Sequence, residues 1–242
     1  MSLRRHAVLL VLATMLLGAC QVDVSAKVVV LEDGSGVVSV EVLLDEEAAA
    51  EVDDLDEQLR TDDLVEAGWE VDGPEPIEGV GVAMVATKPF ASPEQAADVI
   101  AEIAGPDVLE GSVVRDKSFG RVEHTFDATV DLSGGIESFS DDDLAALLND
   151  LPIGQDVAAL EERLGAPLRD LTSFTVVAEL PAGDATTEGD PAVSESADRQ
   201  SFTWEVALGD PPTDLRARTR EVDWVVLGLA ALALVLLVVL AT

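Results

Sequence analysis

Cys20 is the only cysteine in this chain of 242 residues, and its position sets where folding can begin. Arg4 and Arg5 stand ahead of it, followed by an apolar run from Ala7 to Ala19. A charged start, a short apolar run and small residues at the boundary make a removable leader. The cysteine directly after Leu17-Gly18-Ala19 completes a lipobox. The expected processing is cleavage by signal peptidase II between Ala19 and Cys20, with diacylglycerol on the thiol. The run of about 13 residues would be roughly 20 Å long as a helix. That is too short to cross a bilayer comfortably, so residues 1–19 read as a signal peptide rather than an uncleaved anchor. With one thiol there is no disulfide within the chain and no thiolate metal cluster.

The folded part must therefore hold together on its apolar core alone. Nearly half the residues are apolar, Tyr is absent and aromatics are few, so that core has to be built from Val, Leu, Ile and Ala. The charge balance is extreme, with 48 Asp+Glu against 14 Lys+Arg and a net charge of -34. Such a surface repels a phosphate backbone, which excludes nucleic acid as a partner. A GC-rich genome and a halophilic habitat both produce this composition, and composition alone does not separate them.

Trp224 to Ala241 is a second unbroken apolar run. The run reads as a C-terminal transmembrane helix over 222–241, with Trp224 as an interfacial aromatic. Arg216, Arg218 and Arg220 just before it would favour a cytoplasmic domain by the positive-inside rule, but the leader argues the reverse. Long domains translocate largely regardless of flanking charge, so the leader decides. The expected location is the cell membrane, lipid-anchored and single-pass, with the domain outside. Neither tether has a long linker, so both ends of residues 20–221 are expected close to the bilayer.

Val22, Val24, Ala26, Val28 and Val30 alternate with other residues as a half-buried strand does. Asp33-Gly34-Ser35-Gly36 supplies a turn, and Val38, Val40, Val42 and Leu44 alternate again, so 21–44 reads as a β-hairpin. A helix is expected from Asp45 to about Ala67, its acid clusters forming a solvated face. Gly68 to Pro76 reads as a strand edge and turn, and Val80 to Phe90 as a strand. Ser92-Pro93-Glu94-Gln95 is a strong helix start, with the helix running to about Ala104. Two long strands follow, Val108–Phe119 and Gly120–Leu132, the second with Val122, His124, Phe126, Ala128, Val130 and Leu132 on one face. Helices are expected from Ser140 to Asn149 and from Asp156 to Leu164. Leu171–Leu180 and Gln200–Leu208 read as a strand pair separated by a flexible loop, Pro181–Ala197. Thr213–Glu221 reads as the last strand. The order gives an α+β class: an antiparallel, β-rich domain with interposed helices and no internal repeat.

Little in the chain points to catalysis. His124 is the only histidine after the leader and falls on an inward face, where a buried, satisfied histidine is the simpler reading. No serine elbow, phosphate loop or zinc helix is present, no metal or cofactor is expected, and the chain does not read as an enzyme. Arg216, Arg218 and Arg220 share one face of a strand, because side chains alternate with period two. Two readings stay open for them: contact with lipid phosphates, or cross-strand pairing with acidic neighbours.

The lipobox, the Val-rich hairpin with Asp33-Gly34-Ser35-Gly36, the α+β middle and the terminal apolar run together resemble the actinobacterial LppM-type lipoproteins. The resemblance covers nearly the whole layout, while its specific motifs are the lipobox and the hairpin turn. It implies a cell-envelope lipoprotein with a β-rich domain that binds lipid or glycolipid, and it carries no catalytic residues. The expected partners are membrane lipids, covalently through Cys20 and non-covalently through the domain. The alternative is a non-catalytic envelope scaffold or partner-binding module; an enzyme acting on envelope lipids is a third reading.

Overall fold

The structure is a computed structural model that describes residues 21–51, 61–104, 107–135, 167–222 and 224–241. Its strands are β1 (Val22–Val30), β2 (Gly36–Asp45), β3 (Glu70–Ile77), β4 (Gly81–Phe90), β5 (Leu109–Ser118), β6 (Arg121–Val130), β7 (Thr172–Pro181), β8 (Asp184–Glu188), β9 (Ala192–Glu195), β10 (Arg199–Ala207) and β11 (Thr213–Val222). The helices are α1 (Glu46–Glu51), α2 (Thr61–Glu66), α3 (Pro93–Ala104), α4 (Leu168–Leu171) and α5 (Trp224–Ala241). One sheet has the order β3-β4-β2-β1-β7-β10-β9 and the other β5-β6-β11-β8.

The first hairpin forms where the valine alternation places it, with Val22 opposite Leu44 and Val30 opposite Gly36. Its turn is fixed locally. Asp33 Oδ1 accepts from the Ser35 amide at 3.0 Å and from the Ser35 hydroxyl at 2.6 Å. Gly34 holds φ at +90°, a conformation that favours glycine. Gly36 is required by close packing, because a Cβ there would lie 2.0 Å from the Val29 carbonyl oxygen and 2.4 Å from the Phe90 ring. At α3 the predicted helix start is realised: Gln95 Oε1 accepts from the Ala91 amide at 2.9 Å.

The core lies between the sheets and under α3. Val28, Val38, Phe174, Val176, Leu180, Phe202 and Trp204 from the larger sheet meet Leu109, Val113, Phe126, Val130 and Leu215 from the smaller. Ala96, Val99 and Ile100 of α3 join the same cluster. Gly111 lets α3 approach β5, since a Cβ there would be 3.0 Å from Ile100 Cγ2.

Several expectations are corrected. The molecule is mostly β-sheet with few helices, so the α+β class does not hold for the described residues. The sheet is not wholly antiparallel: β1 pairs with β7 in parallel, Val22 beside Thr172. The segment expected as a flexible loop contains β8 and β9, one at an edge of each sheet. Of the helix expected from Asp45 to Ala67, the described parts are α1 and α2; the helices expected at 140–149 and 156–164 lie outside the described residues.

The C-terminal transmembrane helix and the single-pass topology built on it are corrected too. Trp224–Ala241 is helical over 18 residues, yet among the described residues no helix is long and apolar enough to cross a membrane. At 1.5 Å per residue α5 reaches about 27 Å, short of a hydrocarbon core of about 30 Å. Ahead of it, β11 keeps the chain paired as far as Val222, opposite Arg121.

The strand directions also separate the two ends of the domain. Gln21 stands beside β7 and β10, where Val22 meets Thr172 and Ala207 meets Ser173. Gly209 donates to the Leu132 carbonyl at 2.8 Å, bringing the start of β11 to that same end. At the other end Arg115 Nε donates to the Glu32 carbonyl at 2.8 Å, and β11 finishes beside Arg121. Gln21 and Val222 are therefore about 30 Å apart, a strand's length, rather than side by side.

Candidate functional site

β11 buries Leu215, Ala217 and Thr219 and turns Arg216, Arg218 and Arg220 outward, so the three arginines do share a face. Each meets a carboxylate across the sheet. Arg216 Nε donates to Asp127 Oδ2 at 2.7 Å, and its Nη1 donates to Glu188 Oε1 at 3.0 Å. Arg220 Nη2 donates to Glu123 Oε2 at 2.8 Å, and Arg218 Nε lies 3.4 Å from Glu123 Oε1. The Arg216 pKa is raised, first by its bond to Asp127 and then by the charges of Asp127 and Glu188. Glu123 is held below the usual carboxylate range, chiefly by the bond from Arg220. The geometry is that of cross-strand pairing. A lipid phosphate at this face would have to displace carboxylates already in place.

The side chains best disposed to meet a polar ligand lie at the end of the sandwich where the described chain begins. A cleft of about 560 Å³ is lined by Gln21, Arg169, Asp170, Ser173, Thr175, Glu205 and Asp210, among others. Strands β7 and β10 form its floor and α4 one wall. Ser173 donates its hydroxyl to Asp23, and the Gln21 amide donates to Asp45 Oδ2 at 2.8 Å. Asp210 Oδ2 accepts from the Ala207 amide at 3.3 Å, which fixes the Asp210 carboxylate at the rim. Arg169, whose Nε is 3.6 Å from Asp170 Oδ1 with both side chains largely exposed, is a cation among these acceptors. A rim of carboxylates, hydroxyls, one amide and one guanidinium can hydrogen-bond a polyhydroxylated group and oppose a phosphate.

His124 occupies the inward face, as its alternation predicts, and is fully buried. Its Nε2 lies 3.3 Å from the Glu32 carbonyl oxygen, while Nδ1 and the neighbouring Thr219 hydroxyl make no hydrogen bond. Burial lowers its pKa, so it is a neutral core group. A second, small pocket of about 90 Å³ sits between α3 and the larger sheet, lined by Val40, Leu64, Trp69, Met84 and Ile103. Glu102 closes it, accepting from Trp69 Nε1 at 2.9 Å and from Lys88 Nζ at 2.6 Å. Among the described residues no group of three or more His, Cys, Asp or Glu is arranged to hold a metal ion. Ala19 and Cys20 lie outside the described residues, so the lipobox is known from sequence alone.

Sequence reasoning did not find the cleft. Its residues come from Gln21, α4, β7, β10 and the turn after β10, and the pairing of β1 with β7 assembles them across about 150 positions of chain. The one local signal was the density of polar side chains on the outward face of β7.

No protein-family model and no curated protein matches the chain. Among solved structures the chain is similar to the NMR structure of the folded domain of the Mycobacterium tuberculosis LppM protein. The identity is 16%, the TM-score 0.40, and the match covers 84% of this chain and 91% of that one.

Proposed function

We propose that this chain is a cell-envelope lipoprotein, tethered through Cys20, whose extracytoplasmic domain binds the headgroup of a lipid or glycolipid without catalysing a reaction. The observation that carries the reading is the cleft beside Gln21. Gln21, which lines the cleft, directly follows the lipobox cysteine, so an acylated Cys20 would hold the cleft against the headgroup layer. Surface capture fits better than enclosure of acyl chains, because Phe126, Phe202 and Trp204 fill the space between the sheets. Acceptors such as Glu205 and Asp210 suit sugar hydroxyls, and Arg169 suits the phosphate that links a sugar to its diacylglycerol.

Native mass spectrometry of the full-length protein, released gently from membranes, tests this. The reading predicts a non-covalent lipid or glycolipid adduct, weakened at least tenfold in Asp210→Lys, a change of about 1.4 kcal/mol or more. A mass carrying only the covalent diacylglycerol, with no uptake of offered phospholipid or glycolipid, would overturn it and favour a scaffold.

A further inference from the structure

Among the described residues His124 is the only titratable side chain that is fully buried. It stands beneath the turn between β1 and β2. The Glu32 carbonyl oxygen of that turn lies 3.3 Å from His124 Nε2 and accepts from Arg115 Nε at 2.8 Å. Arg115 and His124 are opposite each other in the β5–β6 pairing, so two adjacent side chains of the smaller sheet converge on one carbonyl of the β1–β2 turn. The turn is a compact piece. The Leu31 amide donates to the Ser35 carbonyl at 2.8 Å, the Gly34 amide donates to the Leu31 carbonyl at 2.9 Å, and Asp33 holds Ser35. Leu31, Glu32 and Asp33 are exposed, so its outer side faces water.

A carbonyl oxygen only accepts, so Nε2 carries the proton of the neutral ring and Nδ1 is its basic atom. Nδ1 is buried and makes no hydrogen bond. The Thr219 hydroxyl, opposite His124 in the β6–β11 pairing, is buried and makes none either, so it is not placed to accept from a protonated Nδ1. The charges around the ring do not supply a partner. Arg115 on β5 opposes an imidazolium, and the Glu32 carboxylate of the turn favours one. Asp33 is drawn to Arg115, and Arg199 on β10 gives Nη1 to the Val30 carbonyl at 3.3 Å. Arg218 and Arg220 on β11 turn outward to Glu123 of β6. A proton on Nδ1 thus creates a buried cation with an unmade hydrogen bond beside a guanidinium. Water relieves both faults, and the side of the ring nearest water is the one the turn covers.

We propose that the β1–β2 turn is an acid-released cap: a solvent proton taken up at His124 Nδ1 detaches the Glu32 carbonyl from His124 and Arg115, and residues 31–35 lift while the strands stay paired. The device acts in the range where histidine alone among ordinary side chains changes charge. Asp33 stays ionised there, because its bonds from Ser35 hold its carboxyl below the usual range. The inference is independent of the lipoprotein reading.

The test uses the full-length chain, labelled with nitrogen-15 and held in detergent micelles. The Arg115 Nε–H is followed by its protection from exchange, taken relative to free arginine at the same pH. Between about pH 7.5 and about pH 5 protection should fall at least tenfold, with the midpoint at which the His124 ring itself titrates. The backbone amides of the β5–β6 ladder should keep theirs. In His124→Gln the Arg115 protection should be flat across the range. The coincidence of the two midpoints in the native chain stands as a test by itself should that variant not fold. A ring still neutral at about pH 5, or Arg115 protection kept after the ring has titrated, would overturn the inference. So would an equal loss in His124→Gln, or loss along the whole β5–β6 ladder at the same pH.

Discussion

His124 is a titratable group placed where its charged form is unwelcome. Burial holds its pKa in the folded state below the ordinary histidine value of about 6.5, so the unfolded chain takes up the proton first. The stability associated with His124 is full above about pH 6.5 and declines as the pH falls through that value towards the folded-state pKa. Thermal melts from about pH 7.5 to about pH 5.5 should show this decline in the native sequence and a flatter profile in His124→Gln. A parallel decline in both would mean that other groups set it. Gly36 makes a second residue-scale case, since any Cβ there collides with the backbone of Val29 and the ring of Phe90. Gly36→Ala should cost about 3 kcal/mol or more in chemical denaturation, placing it among severe single substitutions.

Elements whose pattern is local were legible in the sequence. The β6 face from Val122 to Val130 is buried residue for residue as its alternation predicts, because each position packs on one core. The α3 start was legible because its cap is made by residues four apart. Strands β8 and β9 were not, since both are edge strands exposed on each face and leave no alternation to read. They are held instead by contacts remote in sequence, such as the bond from Trp204 Nε1 to the Glu188 carbonyl at 3.0 Å. The β1–β7 pairing, and with it the cleft, depends on a partner far along the chain. The apolar run that forms α5 was legible as a helix, but not its relation to β11, whose pairing takes the chain to Val222. The packing of α3 yields its own prediction. Gly111→Val forces a side chain against Ile100 and should cost about 1–3 kcal/mol, read as a lower denaturation midpoint with an unchanged slope.

On the scale of the molecule, two features dominate: the surplus of negative charge and the separation of the ends. A net charge of -34 makes the folded state repel itself, and salt screens that repulsion at separations beyond the Debye length. The melting temperature should therefore rise between about 0.01 M and about 1 M salt, although the exposed pairs of Arg216 and Arg220 weaken over the same range. A melting temperature that falls with salt would mean that those pairs outweigh the general repulsion. The separation of Gln21 from Val222 places the polar cleft, beside the lipidation motif, at one end of the domain, about a strand's length from where β11 finishes. The proposed headgroup binding needs a membrane against the domain, and an acylated Cys20 would bring it there. Labelling growing cells with palmitate tests that most directly. The account predicts label on the native chain and none on Cys20→Ser; a native chain that stays unlabelled would contradict it.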